Sequence, residues 1–273
     1  MNLQLLNNEP ALLLIEPPRR ILVVADLHLG YERIFFKDQN HVPNLSKTLV
    51  QHLNFLVSEV QPTEIIILGD IKHSVKGFSR LELHEVSKLL QTLQDNASIT
   101  IIRGNHDANI EMLLPEGASI APTSGLLLRF DDHRVFLLHG HAKPGKGLLK
   151  CNTLILAHIH PVVAIPRLRG RYTTHRVWVR TRLKPTIIEV LDKGSRIYSS
   201  RKEVEDSHQI RNIQVLIMPA FHSLLQGHIL NRETKERRHI APIFRHLALE
   251  DAELFMIDHS PIGKLFQLQF KKD

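Results

Sequence analysis

Five times along the 273-residue chain an apolar, β-branched run stops at a short cluster built from Asp, His or Asn. The clusters are Asp26-Leu-His28, Gly69-Asp70, Gly104-Asn-His-Asp107, His139-Gly-His141 and His158-Ile-His160. Mixed carboxylate, amide and imidazole donors suit manganese, iron, zinc or cobalt better than calcium, and the absence of thiolates argues against a structural zinc site. Asp26 and His28 are two residues apart, as are His158 and His160, so in extended chain the members of each pair point to one side and can reach one ion. Asn105 offers a neutral carbonyl and His106 an imidazole able to act as acid or charge stabiliser. Asp107 offers a carboxylate that can orient that imidazole or cap a following helix. Gly69, without a side chain, lets the backbone turn closely beside Asp70. Each cluster alone reads as an ordinary turn or cap; the series of five reads as a site.

The elements that must carry these groups follow from periodicity. The runs Ile21–Ala25, Ile65–Leu68, Ile99–Ile102, Val135–Leu138 and Leu154–Ala157 have the continuous apolar character of buried strands. Between them, Leu45, Leu49, Leu53, Leu56 and Val60 give helical spacing over 44–60, and a second helix spans 80–93. A short helix is expected over 108–114, and a hairpin around Asn7-Asn-Glu-Pro10 precedes the first long strand. From Pro115 onward the pattern is mostly strands. Ile213–Met218 reads as a buried strand, and Leu254–Ile257 and Leu265–Phe270 read as the last two, joined near Pro261-Ile-Gly263. The charged segments 201–208 and 232–239 read as solvated loops. Together these elements imply one α/β sandwich over 1–273, with helices early and antiparallel strands late.

A hydrophobic fraction of 43% is ample for a sizeable core. No run approaches the roughly 20 apolar residues of a membrane span, and no basic leader opens the chain, so a cytoplasmic protein without membrane partners is expected. The single cysteine, Cys151, reads as core packing. The net charge of +7 favours anionic partners, nucleic acid foremost. Much of the excess lies between Arg167 and Lys184, which contains no acidic residue. Arg176, Arg180 and Arg182 share strand parity and so one face, a phosphate-contacting ridge, with Trp178 on the same side. Lys72, His73 and Arg103, adjoining the clusters, are further candidates for substrate contact.

In order, Asp-x-His, Gly-Asp, Gly-Asn-His-Asp, His-Gly-His and His-x-His resemble the motif series of the calcineurin-like metallophosphoesterase superfamily over about residues 21–161. Within it, 25–32, 69–74 and Met218-Pro-Ala-Phe221 resemble an SbcD-related group of phosphoesterases, including those associated with DNA ligases. The resemblance implies a four-layer αββα sandwich with two mixed sheets, the strands of 162–273 completing the second. It implies two divalent ions, manganese first, with iron, zinc, cobalt or nickel as alternatives. Asp26, His28 and His160 would hold one ion, Asn105, His139 and His158 the other, and Asp70 would bridge them. His106 would be the catalytic acid with Asp107 supporting it, and His141 would stand behind the ligands. Ala157 departs from the family's usual glycine before His-x-His. The implied activity is phosphodiester hydrolysis in nucleic acid, DNA repair above all, with repair proteins as partners. Two other readings remain: a phosphodiesterase or phosphatase acting on small molecules or cyclic nucleotides, and a catalytically silent metal-binding subunit of a repair complex.

Overall fold

The computed structural model describes residues 1–34, 45–168, 171–187, 213–232 and 241–269. Expectations for Asn44, Arg169, the segments 201–208 and 233–239, and Phe270 lie outside them. Two mixed β-sheets are stacked face to face. The first has the order β1 (Asn2–Leu5), β2 (Ala11–Glu16), β3 (Arg19–Val24), β4 (Glu64–Ile67), β5 (Ser98–Ile102) and β6 (Ser119–Ala121). The hairpin pairs β1–β2–β3 are antiparallel, and β3 to β6 are parallel. The second runs β14 (Pro261–Lys264), β13 (Glu253–Met256), β11 (Tyr172–Arg182), β12 (Gln214–Ile217), β9 (Thr153–Leu156), β8 (Arg134–Leu138) and β7 (Leu126–Arg129), with β10 (Val162–Pro166) paired to β11 alone. Its centre, β12, β9 and β8, is parallel.

Alternate side chains along these strands build separate layers of core. Leu13, Leu22, Val24, Ile65, Ile67 and Ile99 pack under α1 (Leu45–Val60) and α2 (Arg80–Gln94). Leu14, Ile21, Val23, Ile66, Ile155 and Trp178 fill the space between the sheets. Phe136, Leu154, Leu156, Val177, Val179 and Leu254 form the outer face of the second sheet. That face is covered by single-turn 3-10 helices, among them Lys146–Lys150 and Pro242–His246, which form the outer layer of the αββα sandwich among the described residues. Cys151 is buried, as its reading as core packing requires, and burial pushes its thiol up to about 12. No helix among the described residues is long and apolar enough to cross a membrane.

Two expectations are corrected. The last strand is Pro261–Lys264, and Leu265–Leu268 is a 3-10 turn. The reversal lies earlier, at Asp258–Ser260, where Asp258 Oδ1 accepts the Ser260 amide (2.9 Å) and His259 is left-handed (φ 66°). Trp178, assigned to the basic side, is wholly buried between the sheets. Burying an indole of about 200 Å² at about 25 cal/mol per Å² is worth roughly 5 kcal/mol, against at most about 1 for an exposed ion pair. The tryptophan, not the arginines, therefore decides which way β11 faces.

Candidate metal centre

All five polar clusters emerge at one end of the sandwich, at the C-terminal ends of β3, β4, β5, β8 and β9. Parallel pairing of β3 and β4 continues past the strands: Asp26 N donates to Gly69 O (3.1 Å), His28 N to Asp70 O (2.8 Å) and Leu29 N to Ile71 O (2.8 Å). The first two clusters are thereby zipped side by side. Across the sheets, His139 Nδ1 donates to Leu68 O (2.8 Å) and His158 N to Asp26 Oδ2 (3.2 Å). Glycine is required twice. A Cβ on Gly69 would lie 2.3 Å from His139 Nδ1, and one on Gly104 would lie 2.1 Å from Asp70 Oδ1.

Three donor groups result, and two of them share Asp70: Asp26, His28, Asp70 and His160 in one and Asp70, His139 and His158 in the other, with His28, His73 and His106 forming the third. Each could hold a metal ion. His28 Nε2 and His139 Nε2 both lie 3.3 Å from Asp70 Oδ2, and His160 Nε2 lies 3.3 Å from Asp26 Oδ1. The angles of these approaches are wrong for hydrogen bonds: Asp26 Oδ1 and the Nε2 atoms of His28, His139 and His160 are buried without a hydrogen-bond partner. A buried polar atom left so costs about 1–3 kcal/mol, and four lone-pair donors converging on the same space fit a cation that would satisfy them. His139 and His160 have their Nδ1 protons committed to the carbonyls of Leu68 (2.8 Å) and Gln226 (3.4 Å), so Nε2 is the nitrogen each ring turns to the centre, where a cation would take the place of its proton.

The backbone here is strained. Asp26 (φ 56°), His28 (41°), Asp70 (54°), His158 (75°) and His160 (45°) are left-handed. They make up most of the nine non-glycine residues with positive φ among the described residues, at roughly 1–2 kcal/mol each. Ala157 is accommodated: its methyl is fully buried in the inter-sheet core, and its amide donates to His139 O (3.1 Å).

Electrostatics follow from burial and proximity. Burial opposes charge on His139, but Asp70 and Asp26 raise it to about 9. Burial likewise works against ionised Asp70, yet His139 and His28 hold it well below the usual range. His158 and His141 are pushed down to about 4 by burial and then by the positive charge on His139.

Around these groups the other candidates separate. His106 sits over the centre: its amide donates to Asp70 Oδ1 (2.9 Å), its Nδ1 donates to the His73 carbonyl, and its ring meets His28 edge-on at 4.7 Å. His73 is beside it, with Nδ1 3.2 Å from His28 Nδ1, and burial pushes it down to about 4. Asn105 is exposed at the same corner, and among the described residues no hydrogen bond ties its amide to the second group. His141 contacts the rings of His139 (5.3 Å) and His158 (6.0 Å).

Asp107 does not touch the His106 ring. Its carboxylate, wholly buried, accepts the amides of Asp70 (2.7 Å), Ile71 (2.8 Å) and Gly104 (2.8 Å), and so fixes the loop that carries Asp70. Lys72 is fully buried, with its ammonium donated to the Ser74 carbonyl and held 5.0 Å from the Phe78 ring centroid, which removes it from substrate contact. Arg103 is bonded to Glu111 (2.9 Å). Arg176 is turned onto the carbonyls of Ala220 (2.8 Å) and Phe221 (3.1 Å), whereas Arg180, bonded to Glu253 (2.8 Å), and Arg182 lie at the opposite end of β11. No continuous ridge forms, because the fold interrupts it with Trp178.

Two residues outside the five clusters belong to this neighbourhood. His222 is 97% buried; its Nδ1 accepts the Leu224 amide (3.2 Å), so Nε2 carries the proton and has no partner. Burial, then His28, Arg176 and His73, push it down to about 4. The loop reaches the site because the Phe221 and His222 amides donate to Ala25 O and Asp26 O (2.9 and 3.3 Å), a contact between segments nearly 200 residues apart that local spacing could not reveal. Glu82 caps α2 and also accepts the amides of His73 (3.1 Å) and Ser74 (2.6 Å). Its signal was present in the capping-box spacing Ser79-x-x-Glu82.

The family model for calcineurin-like phosphoesterases matches residues 19–218. No curated protein matches the sequence. Among solved structures, Pseudomonas putida nuclease MPE aligns over 96% of this chain and 100% of its own, with 19% identity and a TM-score of 0.54. Yfce, a phosphoesterase from E. coli, covers 54% of this chain and 73% of its own at 20% identity and a TM-score of 0.37. An archaeal phosphodiesterase covers 54% and 78% at 17% identity and a TM-score of 0.30. At 19% identity the likeness to the P. putida nuclease bears on fold alone.

Proposed function

The chain belongs to the calcineurin-like phosphoesterase family, and from that premise we propose that it is a dinuclear metal-dependent phosphodiesterase acting on nucleic acid. The observation that carries the reading is the pair of donor groups sharing Asp70, with Asp26 Oδ1 and three imidazole Nε2 atoms buried and unpartnered around them. Asp26, His28 and His160 would hold one ion and His139 and His158 the other, with Asn105 joining the second and Asp70 bridging. Manganese is the first choice. Divalent ions bound there supply Lewis-acid polarisation of the phosphoryl oxygens and a nucleophilic hydroxide at neutral pH.

The protein's own groups then have distinct tasks. Asp107 holds Asp70 through its backbone amides, and the His106 amide bonded to Asp70 Oδ1 fixes the carboxylate's rotation. The His73 carbonyl keeps a proton on His106 Nδ1, so Nε2 is the nitrogen left to face the substrate; with a second proton there, as imidazolium, the ring would pass that Nε2 proton to the departing alkoxide and return to its neutral Nδ1–H form. His28 Nδ1 donates to His73 Nδ1, which presents the His28 Nε2 lone pair to the centre.

Nucleic acid is favoured as substrate by the net charge of +7 and by the likeness to the P. putida nuclease MPE, which shares this fold over its whole length. The test is hydrolysis by manganese-loaded protein of a small aryl phosphodiester and of single-stranded, flapped and duplex DNA. Cleavage of both classes is expected; cleavage of the small diester with no nucleic acid cut at any salt concentration would reject the substrate assignment.

A further inference from the structure

The fold divides the basic run Arg167–Lys184 into two parts with opposite surroundings. Val179 of β11 pairs with Ile217, the last residue of β12, whose parallel neighbours β9 and β8 end at His158 and His139. Residues of β11 ahead of Val177 therefore lie past the metal-bearing end of the sheet. There they pair only with β10, which begins two residues after His160. The product is a two-stranded arm, Val162–Pro166 against Tyr172–Arg176, standing off the site for about 13 Å at about 3.3 Å per residue.

The base of the arm is fastened. Asn231, itself buried, accepts the Ala164 amide and donates to the Ala164 carbonyl (2.8 Å each), and Leu230 N donates to Val162 O (2.9 Å). Arg176 ties the other strand to the Ala220–Phe221 loop. The outer half is bare: 165–168 and 171–174 are exposed throughout, Leu168 at 90%. No carboxylate occurs in sequence between Asp132 and Glu189, and among the described residues none pairs with Arg167 or Arg171. At the other end of β11, by contrast, Arg180 is held by Glu253 and Lys184 by Glu250 (3.7 Å). Tyr172 is 41% exposed, with the Arg232 guanidinium 5.1 Å from its ring centroid. Strand parity puts Tyr172 and Thr174 on the face of Arg176 and Trp178, the face turned toward the first sheet. A cation-backed aromatic ring beside unpaired guanidinium groups provides base stacking and phosphate contact together.

We propose that the β10–β11 arm is the docking surface for a single-stranded nucleic acid, with Arg167 and Arg171 on its phosphates and Tyr172 under a base, holding the strand as it leaves the metal centre. This rests on the phosphodiesterase reading above. The test uses the full chain, R167A/R171A and Y172A, with an oligonucleotide of about 20 bases and a small aryl phosphodiester as substrates. Binding is followed by fluorescence anisotropy across salt concentrations. R167A/R171A is expected to weaken binding at least tenfold and to reduce the slope of log K on log salt by about 1.4, two phosphates at about 0.7 each. Y172A is expected to weaken binding about tenfold with the wild-type slope. In both, cleavage of the oligonucleotide relative to the small diester falls about tenfold. Affinity, slope and cleavage ratio all within twofold of wild type in both variants overturn the arm as docking surface while leaving the enzyme's substrate assignment intact. A wild-type protein that hydrolyses the small diester but neither binds nor cleaves the oligonucleotide overturns the substrate assignment and the arm with it.

Discussion

The parallel strands of this sandwich have two ends, and polar side chains are treated differently at each. At the N-terminal ends and along β11 inside the sheet charges are matched: Arg19 bonds Glu64 (2.7 Å), the amino terminus meets Asp132 (3.1 Å), and within β11 Arg180 bonds Glu253 (2.8 Å). At the C-terminal ends buried donor atoms are unmatched, and five of the residues that carry or adjoin them are in left-handed backbone. The first arrangement is what folding stability alone selects, since exposed pairs cost nothing to satisfy and contribute little. The second is tolerable only where the rest of the fold over-determines it and a ligand completes it. Unpaired polarity and strain together mark the functional end more sharply than charge does.

Substitutions can break that contrast, beginning with Asp70→Ala. Removing the carboxylate common to both donor groups should abolish binding of both ions and reduce diester hydrolysis by about 10⁴-fold or more, read by metal stoichiometry and turnover. His106→Ala should retain both ions and lose about 10²- to 10⁴-fold in turnover; full metal content with near-normal rate would remove its assignment as acid. Asp107→Ala tests whether this residue serves the loop or the His106 ring. Three buried amides lose their acceptor, at about 1–3 kcal/mol each, so a loss of several kcal/mol in denaturant unfolding is expected. An activity defect with unchanged stability would return it to the ring.

The unmatched end should also dominate the pH dependence of the metal-free protein. His73, His158 and His222, each lowered to about 4 chiefly by burial, take up protons more readily unfolded, where they titrate near about 6.5. Their contribution is full above about pH 6.5 and is lost as the pH falls toward 4. His139, raised to about 9, runs the other way: its contribution is full below about 6.5 and lost as the pH rises through 9. Melting temperatures of chelator-treated protein should therefore decline steadily from pH 6.5 to 5; a flat profile over that interval would contradict the burial of these rings. The smallest effect belongs to the matched charges, where Arg180→Ala should cost at most about 1 kcal/mol, by thermal unfolding.

Much of this could be read from residue order. Runs of Ile, Val and Leu are legible as buried strands because continuous β-branched sequence can only be covered on both faces, and each run delivers its Asp or His within four residues. The motif series then identified the centre, because imidazole and carboxylate in that order have few other uses. Asp107 was legible as important but not in its task, since which of several nearby amides a carboxylate caps depends on how two loops meet. Lys72 and Arg103 had the right charge in the right neighbourhood, and burial against Phe78 and pairing with Glu111 redirected them.

By itself the sequence supplied the metal-donor set, through residue types and their spacing, the phosphoesterase family, through the resemblance of that motif series, and the buried strands, through continuous apolar runs. Tertiary structure alone decided which cations are free. Arg171 and Arg180 are equivalent in a string of letters, but β11 runs past the end of its sheet at one and inside it at the other, so among the described residues one has no carboxylate partner and the other meets Glu253. Partner choice of this kind is set by long-range register, which local sequence does not encode.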